Sequence, residues 1–282
     1  MNDHQANQIC QQLHVGFMGA GSIVEAIVKG ITAKHLLPAN SIYVTNHSDD
    51  ARLRELQEQY GVIPTRDLSA MLLQSQVIIL GMKPKDVASA CQTLREYVTP
   101  DHLIISVIAG VPTSSIQEWL GVECPIIRTM PNTSSAVGLS ATGMAAGKYA
   151  SEQHLAIAEC LFQSIGHVCI VPEQELDIIT GLSGSGPAYI YYLVEAMEGA
   201  GQLAGLSREI SRELTVQTLL GAAHMLIATK EEPAVLRKKV TSPGGTTQAG
   251  LEVLQAHGFK KAITEAVLRA TQRARELGAP YR

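Results

Sequence analysis

Two glycines stand between the first apolar run of the sequence and the helical pattern that follows it. In residues 16–27, Gly19 would permit a tight turn, and Gly21 would let the backbone approach a pyrophosphate at the positive end of a helix. Val24 occupies the third position of this fingerprint, where a small residue is usual. The spacing predicts a dinucleotide-binding turn, with an ordinary glycine-rich connection as the alternative.

The second apolar run ends in polar residues at Asn46 and Ser48, where an NAD-specific site usually carries a carboxylate. Without that carboxylate a ribose 2′-phosphate is not repelled, and Asn46, Ser48 and Arg52 could donate hydrogen bonds to it. Asp49 and Asp50 stand close by and would oppose a phosphate. The pattern favours NADPH as the cofactor and leaves NADH possible.

A second anion-binding pattern lies near the C-terminus, in the Ser-Pro-Gly-Gly-Thr-Thr loop at residues 242–247. The loop precedes an amphipathic run that contains Leu251 and Leu254, so it leads into a helix. The free N–H groups of that helix would point at an anion, which suits the loop to binding a carboxylate. The alternative is that Ser242 and Thr246 serve as helix caps.

Other reactive side chains form no recognisable site. The stretch Ser183-Gly184-Ser185-Gly186 is followed by no Gly-Lys-Thr/Ser motif and preceded by no strand, which excludes a phosphate loop and a nucleophile elbow. The five cysteines form no CxxC pair, and the nine histidines show no metal-ligand spacing. We expect reduced thiols in a cytoplasmic compartment and no metal site.

Composition narrows the class of protein further. A length of 282 residues with 46% hydrophobic content fits about two domains, and a net charge of −4 without a basic cluster argues against nucleic acid as a partner. The apolar runs are far shorter than the roughly 20 residues that span a bilayer. Residues 1–13 form a polar extension without the features of a secretory signal. We expect a cytoplasmic protein that acts on a small molecule, without membrane or nucleic-acid partners.

The glycine turn and the 242–247 loop must be positioned by helices and strands. The hydrophobic pattern predicts that a doubly wound sheet positions the first of them. Between residues 14 and 171, short apolar runs alternate with amphipathic stretches such as Asp50–Tyr60, which predicts a parallel sheet with crossover helices. Strands are predicted at residues 14–17, 42–45, 77–80, 103–107, 125–128 and 167–171. The fold class is α/β, with a Rossmann-type dinucleotide-binding domain over residues 14–171.

After Pro172 the strand pattern stops, and residues 172–282 are predicted to form an all-α domain for dimerisation and substrate binding. Helices at residues 187–204 and 207–229 carry small and apolar side chains nearly all the way round, which leaves little polar face. A single helical domain of this size has too little volume to cover both helices. We expect a second copy of the chain to cover them, in a homodimer or a higher homo-oligomer.

Four segments together resemble the pyrroline-5-carboxylate reductase family and span nearly the whole chain from Val15 onwards. They are residues 16–27, Ile-Leu-Gly-Met-Lys-Pro at 79–84, Thr-Gly-Leu-Ser-Gly-Ser-Gly-Pro-Ala-Tyr at 180–189, and residues 233–255 with Val-Thr-Ser-Pro-Gly-Gly-Thr-Thr at 240–247. Arg-Thr-Met-Pro-Asn-Thr at 128–133 also resembles a loop of that family. The sequence departs from the family pattern at residues 22–24 and at Leu68, both on the cofactor side.

The resemblance implies NAD(P)H-dependent reduction of L-Δ1-pyrroline-5-carboxylate to L-proline, the last step of proline biosynthesis, with each active site completed at a subunit interface. On the family pattern the catalytic group is Thr247, which hydrogen-bonds the ring nitrogen. Further substrate contacts are implied at Glu173, Ser242, Gly245 and Thr246. Cofactor contacts are implied at Gly19, Ala20, Gly21, Ser22, Ile23, Asn46, Ser48, Gly81, Met82, Lys83, Pro84 and Ala109.

Alternatives stay open at the level of sequence. A hydroxyacid-type dehydrogenase on the same two-domain plan would need a catalytic lysine or an acid–base pair, which Thr246 and Thr247 do not offer. A non-catalytic NAD(P)-binding regulator would keep the fold, although the intact 242–247 loop argues against it. Arg52, Lys83 and Glu173 could also be ordinary solvated residues, as most charged side chains are.

Overall fold

The computed structural model describes residues 10–282, which form two compact units. The first unit contains the described residues up to Ser185 together with Arg269–Arg282, and the second contains Gly186–Leu268. Residues 1–9 of the expected polar extension lie outside the described residues. Cys10 and Leu13, which the sequence places in that extension, are buried in the core of the first unit. The predicted domain boundary between residues 171 and 172 stays a prediction.

An eight-stranded sheet forms the centre of the first unit, in the order β3-β2-β1-β4-β5-β6-β7-β8. The first six strands of the chain are parallel to one another. In chain order the strands are Val15–Met18, Ile42–Thr45, Ile63–Pro64, Val77–Leu80, Leu103–Ser106, Ile126–Met130, Ser140–Ala146 and Gly166–Ile170. The predicted doubly wound α/β sheet is confirmed.

The central strands are apolar on both faces, as expected for strands that helices cover from either side. Every residue of β1, β4 and β5 is buried. β1 pairs with β2 on one edge and with β4 on the other, so the direction of winding reverses between β1 and β4. That reversal opens a crevice at the carboxyl ends of these strands, where doubly wound sheets bind their ligands.

Helices connect these strands and follow local features of the sequence. In the first unit they are α1 Ser22–Ala33, α2 Asp50–Tyr60, α3 Leu68–Gln74, α4 Val87–Leu94, α5 Thr113–Leu120, α6 Glu152–Phe162 and α7 Leu176–Ile179. α2 has the predicted bounds because Asp49 caps it by accepting a hydrogen bond from the N–H of Arg52. Gly61, in the left-handed conformation at φ +72°, ends the helix.

The last two strands depart from the all-parallel arrangement that the sequence predicts. β7, which the sequence does not predict, runs antiparallel to β6, and β8 is parallel to β7. β7 reads Ser-Ala-Thr-Gly-Met-Ala-Ala and is poor in the β-branched and aromatic residues typical of strands. Packing explains one of these small residues, because a Cβ at Gly143 would lie 2.5 Å from Cδ1 of Ile179. The other missed strand, β3, has only two residues, one of them Pro64.

The second unit is helical, as predicted. Its helices are α8 Gly186–Leu203, α9 Arg208–Thr229, α10 Pro233–Lys239, α11 Thr246–Ala256 and the start of α12 Phe259–Gly278, whose final residues belong to the first unit. α8 packs against α9, where Glu198 is buried and pairs with Arg212. Many apolar side chains of the two helices stay exposed in the single chain, among them Tyr192 at 76% and Ile227 at 71%.

Candidate active site

The glycine turn between β1 and α1 is built for close approach of backbone to backbone. Gly19 has a φ of +123°, and a Cβ added there would lie 2.6 Å from the carbonyl oxygen of Gly81, so only glycine fits. Gly81 in turn leaves room for Val24, because a Cβ at Gly81 would lie 2.4 Å from Cγ2 of Val24. A glycine after β4 therefore accommodates the bulky residue at the third fingerprint position.

The N-terminus of α1 faces open space. Gly21 is its N-cap residue and has no side chain to cap the helix, and a Cβ built on Gly21 would meet nothing within 4 Å. Ser22 is exposed beside it, whereas Ala20 and Ile23 pack against the core. The first N–H groups of α1 are therefore available to an anion.

A cleft of about 760 Å³ lies at the carboxyl ends of β1 and β2. It brings together three of the predicted cofactor residues, Gly19, Asn46 and Met82. Ser48 is exposed and is not among the residues that line the cleft. The other lining residues include Thr45, His47, Arg66, Leu68, Asp86 and Thr93.

Asn46 is held in a tight turn that starts α2. Its amide nitrogen donates to the carbonyl oxygen of Asp49 at 2.7 Å, and its amide oxygen accepts from the N–H of Asp49 at 2.8 Å. The Asn46 carbonyl oxygen accepts a hydrogen bond from the guanidinium of Arg66. The Asn46 side chain, which was expected to contact the ribose, thus holds the turn at the end of β2. Arg66 places a positive charge beside that turn.

Arg52, which the sequence offers as a phosphate ligand, braces the glycine turn instead. Its Nε donates to the carbonyl oxygen of Ala20 at 3.0 Å, and its terminal nitrogens pair with Glu25 on α1 and Glu55 on α2. The hydrogen bond from Arg52 holds the pKa of the Glu25 carboxyl below its ordinary value. These contacts tie α2 to the start of α1, and they use each nitrogen of the Arg52 guanidinium.

The predicted nicotinamide-side residues lie at the ends of β4 and β5. The N–H of Gly81 donates to the carbonyl oxygen of Met18 at 2.8 Å, which holds the end of β4 beside that of β1. Lys83 is exposed and precedes Pro84, the first residue of a short 3₁₀ turn. Ala109 is exposed after β5, next to Gly110, which packs against the backbone of Gly278.

The 242–247 loop leads into α11 in the second unit, as the sequence predicts. Gly245, which has no side chain, is the N-cap residue, so the helix-cap interpretation of Ser242 and Thr246 is wrong. Gly244 adopts a φ of +71°, and its N–H donates to the Gln248 side chain at 2.8 Å. Thr246 and Thr247 are exposed at the first turn. The N-terminus of α11 is thus open to an anion such as a carboxylate.

Glu173 takes part in a network of charges within the first unit. One of its carboxylate oxygens accepts from the N–H of Thr113 and the other from the Thr113 hydroxyl, both at 2.7 Å. Arg128, which is 4% exposed, lies 3.5 Å from Glu173 and 3.6 Å from Asp177. Arg282 also pairs with Asp177. The carboxylate predicted to meet substrate therefore caps α5 in this structure.

Several other features limit the chemistry that the described residues can perform. In residues 10–282, no three side chains of histidine, cysteine, aspartate or glutamate lie close enough together to hold a metal ion. Burial raises the pKa of the Cys91 thiol to about 12 and that of Cys124 to about 11, so both stay protonated near neutral pH.

No helix within residues 10–282 is both long and apolar enough to cross a bilayer.

Comparison with known proteins accounts for both units. Residues 173–277 match the family model of pyrroline-5-carboxylate reductase dimerisation, and residues 14–110 match that of NADP oxidoreductase, coenzyme F420-dependent. The pyrroline-5-carboxylate reductase 1 of Bacillus spizizenii is 46% identical over 269 residues, which are 95% of this chain and 91% of that protein. The chain belongs to the pyrroline-5-carboxylate reductase family.

Relatives of this reductase family occur in distant organisms. The pyrroline-5-carboxylate reductase of Arabidopsis thaliana is 40% identical, over 95% of this chain and 96% of that protein. The solved structure of the Coxiella burnetii reductase covers 94% of this chain and 98% of its own, at 37% identity and a TM-score of 0.88. A Plasmodium falciparum pyrroline carboxylate reductase with NADP bound covers 95% and 99%, at 27% identity and a TM-score of 0.85.

Membership of this reductase family confirms the prediction made from the four sequence segments, and it decides against a hydroxyacid-type dehydrogenase.

Sequence reasoning missed Arg66, because nothing in a lone arginine before a helix indicates that it lies at the end of another strand. It also named Arg52 as a possible phosphate ligand, whereas in the structure the guanidinium pairs with Glu25 on α1. The positions of Glu25 in the first turn of α1 and of Arg52 in the first turn of α2 could have indicated this ion pair.

Proposed function

We propose that this chain reduces L-Δ1-pyrroline-5-carboxylate to L-proline, with NADPH as the hydride donor. The observation that carries the proposal is a pair of open helix N-termini, each preceded by glycines, in a member of this reductase family. The N-terminus of α1 suits a pyrophosphate, and that of α11 suits a carboxylate. A dinucleotide and a cyclic imine acid present these two anions.

The reaction converts the C=N double bond of the ring into a single C–N bond. NADPH, when bound, supplies a hydride to the ring carbon, and the electron pair of the double bond moves onto nitrogen. The imine nitrogen can arrive protonated, so the active site needs no strong general acid. Placement of the ring is the main task of the protein, and near-attack placement contributes about 7–11 kcal/mol in well-oriented reactions.

We assign the substrate to the 242–247 loop. The Thr247 hydroxyl hydrogen-bonds the ring nitrogen, while Ser242, Gly245 and the backbone of Thr246 hold the carboxylate. Glu173 is a further substrate contact, since 25% of its side chain stays exposed beside the oxygens that Thr113 uses. The cofactor residues are Gly19, Ala20, Gly21, Ser22, Ile23, Asn46, Ser48, Gly81, Met82, Lys83, Pro84 and Ala109.

We also assign the chain to a homodimer or a higher homo-oligomer in the cytoplasm, with residues 14–171 binding the dinucleotide and residues 172–282 forming the interface. The family model of the second part is named for dimerisation, which supports this assignment. The exposed apolar side chains of α8 and α9 support it as well, because a large amount of exposed apolar surface usually marks an interface.

The test of this function is steady-state oxidation of NADPH and of NADH by the purified protein, with pyrroline-5-carboxylate and with its six-membered homologue as substrates. We expect turnover with the five-membered substrate and a higher kcat/KM with NADPH. Faster reduction of the larger ring would assign a different substrate. Dinucleotide binding without turnover of either imine would indicate a non-catalytic regulator.

A further inference from the structure

Arg66 places a positive charge at the carboxyl end of β2. It follows β3 and precedes α3, and its Nη1 donates a hydrogen bond to the carbonyl oxygen of Asn46. Its side chain is 41% exposed and lines the cleft beside Thr45 and His47. The guanidinium is therefore attached to the backbone of the strand end and also reachable from solvent.

The end of the second strand is where a doubly wound sheet discriminates between the two dinucleotides. A carboxylate there binds the ribose 2′-hydroxyl of NAD, whereas an arginine there accommodates the 2′-phosphate of NADP. In this chain the strand end carries Asn46 and Arg66 in place of a carboxylate. Asp86 also lines the cleft, from the short turn after β4.

Asp50 is the present partner of Arg66. Its Oδ1 accepts from Nε of Arg66 at 3.2 Å and also from Nη2, and the Asp50 side chain is 74% exposed. Ion pairs so open to water contribute little free energy, so a phosphate dianion can compete for the guanidinium. Each terminal nitrogen of an arginine carries two N–H groups. The hydrogen bonds that Arg66 makes with other described residues use one N–H on each terminal nitrogen, which leaves a second N–H on both for a ligand.

Arg52, the other arginine near this strand end, is committed elsewhere. Like Arg66 it donates from all three guanidinium nitrogens, but its partners Ala20, Glu25 and Glu55 belong to the glycine turn and to α1 and α2. Its side chain is 21% exposed, half the value of Arg66. Moving Arg52 toward a 2′-phosphate would break its ion pair with Glu25 and remove the brace on the glycine turn, which makes Arg52 the poorer ligand.

We propose that Arg66 recognises the 2′-phosphate of the cofactor and so determines a preference for NADPH over NADH. Phosphate displaces Asp50 as the main partner of the guanidinium, while the hydrogen bond from Arg66 to Asn46 keeps the side chain at the end of β2. The inference rests on the proposed dinucleotide-dependent function and extends it to the choice of cofactor.

Calorimetric titration with two small probes tests this without any turnover. Adenosine 2′,5′-bisphosphate carries the 2′-phosphate, and adenosine 5′-monophosphate lacks it. In Arg66→Ala we expect affinity for the bisphosphate to fall about tenfold to a hundredfold, as for loss of one hydrogen-bonded charge contact, and affinity for the monophosphate to stay within about twofold. Arg66→Lys keeps the positive charge but lacks the paired N–H donors of a guanidinium, so we expect an intermediate loss of affinity for the bisphosphate.

Two matched variants sharpen the test. Arg54→Ala removes the same charge from the exposed face of α2 and should change neither affinity. Asp50→Asn removes the competing carboxylate and should strengthen binding of the bisphosphate alone. Equal losses for both probes in Arg66→Ala, or no loss for the bisphosphate, would overturn the inference.

The outcome is separable from that of the proposed function. If the chain failed to reduce pyrroline-5-carboxylate, titration with the bisphosphate and the monophosphate would still show whether Arg66 binds the 2′-phosphate. If the chain reduced pyrroline-5-carboxylate, and the ratio of kcat/KM for NADPH to that for NADH were the same in wild type and Arg66→Ala, the reductase function would be supported. The proposed role of Arg66 would then be contradicted.

Discussion

At the scale of single residues, the two glycines of the phosphate-binding turn are required for different reasons. Gly19 is required by the fold, since its φ of +123° and its approach to Gly81 exclude a side chain. Gly21 meets nothing within 4 Å, so the fold would tolerate a side chain there. A side chain at Gly21 would instead occupy the space through which a pyrophosphate reaches the N-terminus of α1.

We therefore predict opposite outcomes for substitution of the two glycines. Gly19→Ala should lower the free energy of unfolding by about 1–3 kcal/mol, the cost of a strained backbone position. Gly21→Val should cost no more than about 1 kcal/mol, because valine is disfavoured at a helix N-cap, and should abolish dinucleotide binding. Thermal unfolding and calorimetry with NADPH measure both effects. Undiminished NADPH affinity in Gly21→Val would mean that the turn has only a structural role.

The Thr247 hydroxyl is predicted to act on the substrate and not on the dinucleotide. Thr247→Val keeps the shape of the side chain and removes the hydrogen bond to the ring nitrogen. We expect kcat/KM for pyrroline-5-carboxylate to fall about tenfold to a hundredfold, the range for a hydrogen bond to a charged group, with the Kd for NADPH unchanged.

Two neighbouring substitutions serve as controls for Thr247. Thr246→Val should have little effect on turnover, because Thr246 is assigned a backbone contact. Thr247→Ser should restore most of the lost activity, since the hydroxyl returns. Equal turnover in Thr247→Val and the wild type would remove Thr247 from the active site.

At the scale of elements, Arg52 connects the start of α2 with the glycine turn and α1. Removing it in Arg52→Ala frees the carbonyl oxygen of Ala20 and loosens the turn that binds the pyrophosphate. Because both dinucleotides share the pyrophosphate, we predict that affinity for NADPH and for NADH falls by the same factor. Binding titrations check this, and a loss confined to NADPH would assign the 2′-phosphate to Arg52 after all.

The same contact has a pH dependence of known sign. Arg52 holds the pKa of Glu25 below its ordinary value near 4.5. A carboxyl with a lowered folded-state pKa stabilises the fold above its unfolded-state pKa, and it loses that contribution as the pH falls through the lowered value. We therefore expect the stability difference between wild type and Arg52→Ala to narrow as the pH falls from 4.5 through the lowered pKa of Glu25. Urea unfolding between neutral and acid pH measures the difference.

At the scale of the whole molecule, the second unit exposes many apolar side chains that a partner copy could cover. Tyr192 and Ile227 are 76% and 71% exposed on α8 and α9. We predict a dimer or larger oligomer at nanomolar concentration, because obligate interfaces are large and core-like. Tyr192→Glu with Ile227→Glu should produce monomers that have lost activity, as followed by sedimentation and turnover.

Leu73 supplies the matched control for this prediction. It is 86% exposed on α3 in the first unit, so Leu73→Glu makes the same kind of change on a surface that is not assigned to the interface. We expect this variant to keep the oligomeric state and activity of the wild type. A stable and fully active monomer of the wild-type chain would contradict the assignment of the interface.

The sequence by itself determined those features that depend on neighbouring residues. The bounds of α2 follow from Asp49 and Gly61, which start and stop a helix through local hydrogen bonds and backbone conformation. The turn at Gly19 and the open start of α11 follow in the same way from glycine positions. Family membership also followed from sequence, because its motifs are short stretches whose residues lie together along the chain.

Only the tertiary structure decided which of two arginines faces the cleft. Arg52 and Arg66 both stand near the start of a helix, and no local property separates them. Packing of α1 against α2 brings Glu25 to Arg52, whereas pairing of β2 with β3 brings the end of β2 to Arg66. The reversed direction of β7 and the Thr113 partner of Glu173 are likewise set by contacts distant in sequence. Long-range pairing depends on how whole elements pack, which local residue patterns do not encode.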